Sequence, residues 1–132
     1  MASSFAIDSS AIVSIILGEQ SAEGLVEKIQ RSSFTIVGSP SLAETGIVLS
    51  SRGRDAQSDL DMFLLASGTG VVPFTQEHFK ISIEAFRKYG KGRHPAALNF
   101  GDCMSYAIAK LARLPLLFTG EDFSKTDIRN VE

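Results

Sequence analysis

The sequence predicts an α/β domain: a central, mostly parallel sheet of four to five short strands, with helices on both faces in three α/β/α layers. Two observations predict it. Short apolar runs recur at Phe5–Ile7, Phe34–Val37, Val71–Phe74 and Leu116–Phe118, each too short for a helix and several rich in β-branched or aromatic residues. The intervals between them carry apolar residues at helical spacing and are bounded by Gly, Pro, Ser and Asp. At 132 residues, one domain spanning 1–132 is expected, and a hydrophobic fraction of 44% is enough for a core.

Taken in order, Phe5-Ala6-Ile7 stops at Asp8-Ser9-Ser10. Ser9 or Ser10 is placed to cap a helix that carries Ala11, Ile12, Ile15 and Ile16 and ends at Gly18. A second helix is expected over 21–30, with Leu25, Val26 and Ile29 on one face. Gly38-Ser39-Pro40-Ser41 opens a third, because Pro suits the first helical turn and Ser the cap before it. Its apolar residues are Leu42, Ile47 and Val48, and it ends near Gly53. A fourth, over 55–66, turns Leu60, Phe63 and Leu64 inward, and Thr75 caps a fifth that reaches Tyr89. Gly90-Lys91-Gly92-Arg93-His94-Pro95 is a loop. The sixth helix sets Met104, Ala107, Ile108, Leu111 and Ala112 at i, i+3, i+4, i+7 and i+8 and ends before Pro115. Asp127–Val131 is a candidate last strand.

Composition excludes several classes. The formal net charge of −2 does not announce a nucleic-acid partner. A single cysteine leaves no internal disulfide framework, and Cys103, with no histidine base near it in sequence, reads as a buried structural thiol. The apolar run Ala11–Leu17 is too short to span a membrane, and no basic residue precedes it as in a signal peptide. A cytoplasmic protein without membrane contact is expected.

Four carboxylates stand out by position. Asp8 ends the first strand, Glu44 lies early in the third helix, Asp102 starts the sixth, and Asp122 or its neighbour Glu121 follows the last apolar run. In a doubly wound sheet, the carboxyl ends of strands and adjacent helix N-termini share one rim, so these acids can meet in one cleft. Crowded carboxylates raise one another's pKa, and a hard divalent cation relieves the repulsion. Such a site suits phosphoryl chemistry. Each acid also has a plainer reading. Asp8 and Asp102 can be helix caps, Ser41-Leu42-Ala43-Glu44 fits a capping box, and Glu121, Asp122 and Asp127 can be solvated loop charges.

At these residues the chain resembles PIN-domain ribonucleases, in particular VapC toxins of VapBC toxin–antitoxin pairs. The likeness rests on Phe5-Ala6-Ile7-Asp8-Ser9-Ser10-Ala11, on Asn99-Phe100-Gly101-Asp102-Cys103-Met104-Ser105-Tyr106-Ala107, and on Leu116 through Ile128. It implies a PIN-like fold and a metal-dependent endoribonuclease, a hydrolase acting on tRNA or rRNA. It implies Mg²⁺ or Mn²⁺, with Asp8 and Asp102 as direct ligands and Glu44 and Asp122 completing the acidic set; Glu121 competes with Asp122 for the fourth place. Water would attack the scissile phosphate in line, leaving a 5′-phosphate and a 3′-hydroxyl. Ser10 matches a hydroxyl position that supports the first acid, and Thr119 is given a comparable part. The resemblance also implies a homodimer and a VapB-type antitoxin, bound in a heterotetramer or larger complex.

An acidic cleft needs basic neighbours to hold RNA. The richest basic segment contains Arg87, Lys88, Lys91 and Arg93, just upstream of Asp102; Arg52 and Arg54 are second candidates. His94, before Pro95, reads as a surface residue. The helices near 11–17 and 44–51 are candidates for the antitoxin's seat. A receiver or haloacid-dehalogenase-type phosphotransfer site fits poorly, since the latter wants a second Asp where Ser10 stands. The alternative from another class is a catalytically silent PIN-fold binding module.

Overall fold

The computed structural model describes residues 3–132. Four strands, β1 (Phe5–Ile7), β2 (Thr35–Gly38), β3 (Gly70–Val72) and β4 (Leu116–Leu117), form one sheet in the order β3-β2-β1-β4, and every pairing is parallel. Six helices surround it: α1 (Ser9–Ile16), α2 (Ala22–Arg31), α3 (Ser39–Ser51), α4 (Ala56–Ser67), α5 (Gln76–Tyr89) and α6 (Phe100–Ala112). A 3₁₀ turn follows at Phe123–Lys125. The expected last strand reduces to a single bridge, Leu116 to Asn130, because only Arg129 O reaches the β4 edge, accepting from Leu116 N.

Strand alternation builds two cores. Phe5, Ile7, Val37 and Leu117 point to one face, where Ala11, Ile12, Leu25, Ile29 and Phe63 of α1, α2 and α4 cover them. Ala6, Leu116 and Phe118 point to the other, under Ala85 of α5 and Tyr106, Ile108 and Ala109 of α6. This period of two is what makes three layers from strands of two to four residues.

The connections decide where a site can form. The chain moves outward from β1 to β2 to β3, with α1 to α4 as crossovers. It then returns through α5 and α6 to place β4 on the far side of β1. The order therefore reverses at β1, and the crevice beyond its carboxyl end is the topological switch point, the place where open α/β sheets bind ligands. Because α6 leads directly into a parallel strand, it runs against the strands and brings its N-terminus to that same rim.

Several local expectations shift. Asp8, not Ser9 or Ser10, caps α1, with extended backbone and its side chain accepting from Ser10 N. Gly38 caps α3, so Ser41 lies inside the helix and the Ser41–Glu44 capping box does not form. Asn99 caps α6, so Asp102 is its third residue rather than its cap. Ile47 is exposed, as is Leu111, whereas Cys103 and residues 105–109 are all buried. Helix α6 is covered by the sheet, α3 and α5 together, so its apolar surface is wider than one stripe.

Candidate active site

At the switch point stands Asp8, 4% exposed. Its backbone N–H donates to Leu117 O (2.9 Å), which fixes it to the β4 edge. Both carboxylate oxygens are engaged: Oδ2 accepts from Ser10 N (3.0 Å) and Oδ1 from the Ser105 hydroxyl. Ser105 in turn meets the Ser41 hydroxyl at 2.9 Å, in a site closed to solvent. A run of hydroxyls from α6 and α3 therefore supports the first acid from beneath. The Ser10 hydroxyl accepts from Thr119 N (3.1 Å), tying the loop after β4 to α1. Thr119 thus joins the site through its main chain.

Glu44 reaches toward the same crevice from α3. Its Oε1 accepts from the Ser9 hydroxyl at 2.7 Å, and its carboxylate lies against the bare Cα of Gly101 at the start of α6. Asp102 forms a reciprocal box with Asn99: Asn99 Oδ1 accepts from Asp102 N (2.9 Å), and Asp102 Oδ2 accepts from Asn99 N (3.0 Å). Its carboxyl is pushed up to about 6. Burial is the main cause; the Asn99 N–H opposes it, and the charges of Asp8, Asp122 and Glu44 add to the rise. Four carboxylates from four separate stretches therefore share one field. Of the two acids after β4, Asp122 is the one whose charge acts on Asp102. It precedes Phe123, which is buried against Phe118 with ring centroids 5.2 Å apart, so its backbone is anchored. Glu121, exposed as Asp122 is, accepts from the Ser124 amide and hydroxyl through its carbonyl. Asp127 is engaged elsewhere, by Lys110 (2.5 Å) and the Tyr106 hydroxyl (2.7 Å).

Among the described residues, no three acidic, histidine or cysteine side chains converge into a ready-made metal cage. The donors at the rim are carboxylate oxygens, held apart and repelling one another. That set fits a hard cation such as Mg²⁺, which takes one or two carboxylates directly and keeps several waters. Cys103 offers no alternative nucleophile: burial first, and the Asp102 charge second, push its thiol up to about 11.

The basic candidates divide. The loop after α5 returns to the head of α6, its ends pinned by Lys91 N to Leu98 O and Leu98 N to Tyr89 O, both 2.9 Å. Lys91 and Arg93 are exposed on it, and Arg93 lies over the Phe86 ring. Arg87 and Lys88 are exposed at the end of α5, near Glu84 at 3.8 and 3.9 Å. His94 is half-buried, accepting from Ala96 N (3.0 Å) with its ring edge against Tyr89; it staples the loop. Arg52 caps the far end of α3, and Arg54 is bound to Asp59 at 2.6 Å, so these two stand apart from the rim.

Sequence reasoning weighed Ser9 and Ser41 as caps alone and gave Ser105 and Gly101 no part in the site. A signal existed for two of them: Ser41 stands three residues before Glu44 and Ser105 three after Asp102, each on the face of its acid.

Residues 5–129 match the PIN domain family. Ribonuclease VapC36 of Mycobacterium tuberculosis is 42% identical over 124 residues, covering 92% of this chain and 89% of that one. Ribonuclease VapC of Mycolicibacterium smegmatis is 40% identical over 126 residues, covering 95% and 98%. Among solved structures, Mycobacterium tuberculosis VapC20, a Sarcin-Ricin loop cleaving toxin, superposes with a TM-score of 0.73 at 17% identity, covering 95% of this chain and 98% of that one. VapBC2 from Rickettsia felis, bound to a DNA fragment from its promoter, gives 0.75 at 17%, covering 98% and 97%.

Proposed function

Because the chain belongs to the PIN-domain family and, within it, to the VapC ribonucleases, we propose that it is a metal-dependent endoribonuclease, the toxin of a type II toxin–antitoxin pair, cutting tRNA or rRNA. The observation that carries this reading is Asp102: a carboxyl at the head of α6, raised to about 6 in a field that Asp8, Asp122 and Glu44 share. Burial does most of that raising and the three neighbouring charges add to it; an acid held in this way is costly for a fold and useful for holding a cation.

Asp8 and Asp102 would hold Mg²⁺ or Mn²⁺ directly, with Glu44 and Asp122 placed to orient water beside it. Bound there, the metal supplies Lewis-acid polarisation of the phosphate and a water of lowered pKa. Asp8 is kept in one rotamer by Ser10 N and Ser105, and Asp102 by Asn99 N, so neither has to reorganise. Lys91, Arg93, Arg87 and Lys88 lie toward the same end of the molecule, placed to neutralise the RNA backbone beside the acids. Arg54, already paired, contributes least to that task.

The antitoxin's seat is the groove between α3 and α4. It is about 600 Å³ and is lined by Leu42, Gly46, Ile47, Leu60 and Leu64. The α3 candidate from the sequence lies in it; α1 lines no part of it. An apolar helix of the partner fits such a groove. The exposed stripe Phe79, Ile83 and Phe86 of α5, with Phe100, is the face for a second copy.

The test is cleavage of purified tRNA and rRNA with 5′-end mapping. Discrete 5′-phosphate fragments are expected with Mg²⁺ or Mn²⁺ and none with EDTA. If wild type cuts no better than a triple Ala variant of Asp8, Glu44 and Asp102, the silent-module reading replaces this one. The fourth acid is decided in the same assay. Asp122→Asn is expected to lose about 10–100-fold, as an outer-sphere partner does, and Glu121→Gln to stay within about 2-fold of wild type, as a solvated surface charge should. The reverse order would exchange their roles.

A further inference from the structure

We infer that Gly101 is a positioning residue: its bare Cα is the floor on which the Glu44 carboxylate rests, with the Ser9 hydroxyl clamping the carboxylate from the other side. The inference rests on the ribonuclease reading above and adds to it two residues that have no place among the acids.

Gly101 is a glycine without a conformational reason. It is the second residue of α6, with ordinary helical backbone; its φ is not positive, unlike those of Gly18, Gly53, Gly68, Gly92 and Gly120. Alanine is the better helix former there. Space supplies the reason. A Cβ on Gly101 would stand 2.4 Å from Glu44 Oε2 and 2.7 Å from both Cδ and Oε1. The three nearest atoms it would meet all belong to that one carboxylate. By contrast, a Cβ on Gly24 of α2 would meet nothing within 4 Å.

Glu44 cannot yield by moving its backbone. One turn before it, Ser41 is hydrogen-bonded to Ser105 at 2.9 Å, one turn beyond Gly101, so α3 and α6 are locked together beside the contact. The Thr45 hydroxyl donates to Ser41 O at 2.7 Å and stiffens the same turn. A methyl at 101 therefore swings the Glu44 side chain aside and breaks its 2.7 Å bond from Ser9. Because that side chain is flexible and only half-buried, the fold absorbs the change while the acid leaves its place.

The test is a double-mutant cycle on the full chain, read by RNA cleavage and by the rise in melting temperature that Mn²⁺ produces. Gly101→Ala is expected to lower kcat about 10–100-fold with KM for RNA unchanged, to reduce the Mn²⁺-induced rise, and to keep or raise the metal-free melting temperature. In a Glu44→Ala background the same change is expected to cost less than about 2-fold, the non-additivity of residues acting as one unit. Ser9→Ala gives the loss from the other side, and Ser9→Thr restores it. Gly24→Ala serves as the control with unchanged kcat. If Asp8→Asn is inactive but Gly101→Ala and Ser9→Ala cleave normally, the positioning role is overturned and the ribonuclease site stands. If Gly101→Ala loses as much in the Glu44→Ala background as in wild type, it acts elsewhere and the inference also fails. If wild type cleaves no better than the triple Ala variant of Asp8, Glu44 and Asp102, the ribonuclease reading itself falls, and this inference with it.

Discussion

Asp102→Asn is expected to abolish RNA cleavage and, in the same preparation, to raise the melting temperature of the metal-free protein. The substitution keeps the shape and keeps an oxygen to accept from Asn99 N, so the α6 box survives. What it removes is a charge that the fold opposes. The carboxyl is raised from 3.8 to about 6, so the native state binds its proton more tightly than the unfolded chain does. The ionised form therefore costs stability. That cost is absent below pH 3.8, grows as pH rises toward 6, and is complete above it. The group is partly open to solvent, and with that screening taken into account the cost is about 1–2 kcal/mol, roughly 4–8 °C for a domain of this size. Calorimetry across pH reads it: wild type and variant should melt together near pH 4 and separate by pH 7.5. Mg²⁺ or Mn²⁺ should then raise the wild type and leave the variant unmoved. Equal melting temperatures at pH 7.5 would mean that neither burial nor the charges of Asp8, Asp122 and Glu44 hold the Asp102 carboxyl above its ordinary range.

The sheet was readable from the sequence because its signal is local. Phe5 and Ile7 face one core and Ala6 the other, and a three-residue apolar run between polar stops suffices to mark such a strand. The caps were less readable, each for a related reason. At the head of α1, α3 and α6, more than one residue was chemically able to cap, and local sequence does not say which. Asp8 takes the cap of α1, and this releases Ser9 to Glu44 and Ser10 to Thr119 N. Gly38, pressed against Ile108 where a Cβ would come within 2.5 Å, ends β2 and starts α3; Glu44 is thereby left to point across to α6. Asn99 caps α6 and leaves one Asp102 oxygen for other work. Ser9 and Ser41, read from the sequence as caps, and Ser105 and Gly101, given no part in the site, sit where α3, α1 and α6 meet. Which faces of separate helices meet is a tertiary fact, and neither periodicity nor composition carries it. The choice between Glu121 and Asp122 is illegible for the same reason, since the Phe123 packing under Phe118 that anchors the Asp122 backbone is a tertiary contact.

A comparable loss of activity that leaves the fold in place is expected from Asp8→Asn, and its contrast with Asp8→Ala separates the two jobs of this residue. Asp8 caps α1 through Ser10 N and accepts from Ser105 in a place closed to solvent. Alanine removes both acceptors. The lost cap costs about 1 kcal/mol, and the Ser105 hydroxyl, left with Ser41 alone, adds about 1–2 kcal/mol. Asparagine loses little. Its oxygen takes Ser10 N, and its amide donates to Ser105, whose hydroxyl turns to donate to Ser41; the Ser41–Ser105 contact permits either direction. Removing the charge also relieves Asp102, whose carboxyl Asp8 helps to raise. Asp8→Asn should therefore unfold in urea within about 1 kcal/mol of wild type, and Asp8→Ala about 2–3 kcal/mol earlier. Both should lose at least about 10³-fold in single-turnover cleavage, the rate equivalent of the several kcal/mol a bound cation supplies. Cleavage by Asp8→Asn at the wild-type rate would leave Asp8 a structural cap and move the metal to Asp102 and its remaining neighbours. Equal losses of stability in the two variants would instead show that the charge of Asp8, rather than its hydrogen bonds, holds the head of α1 to the sheet.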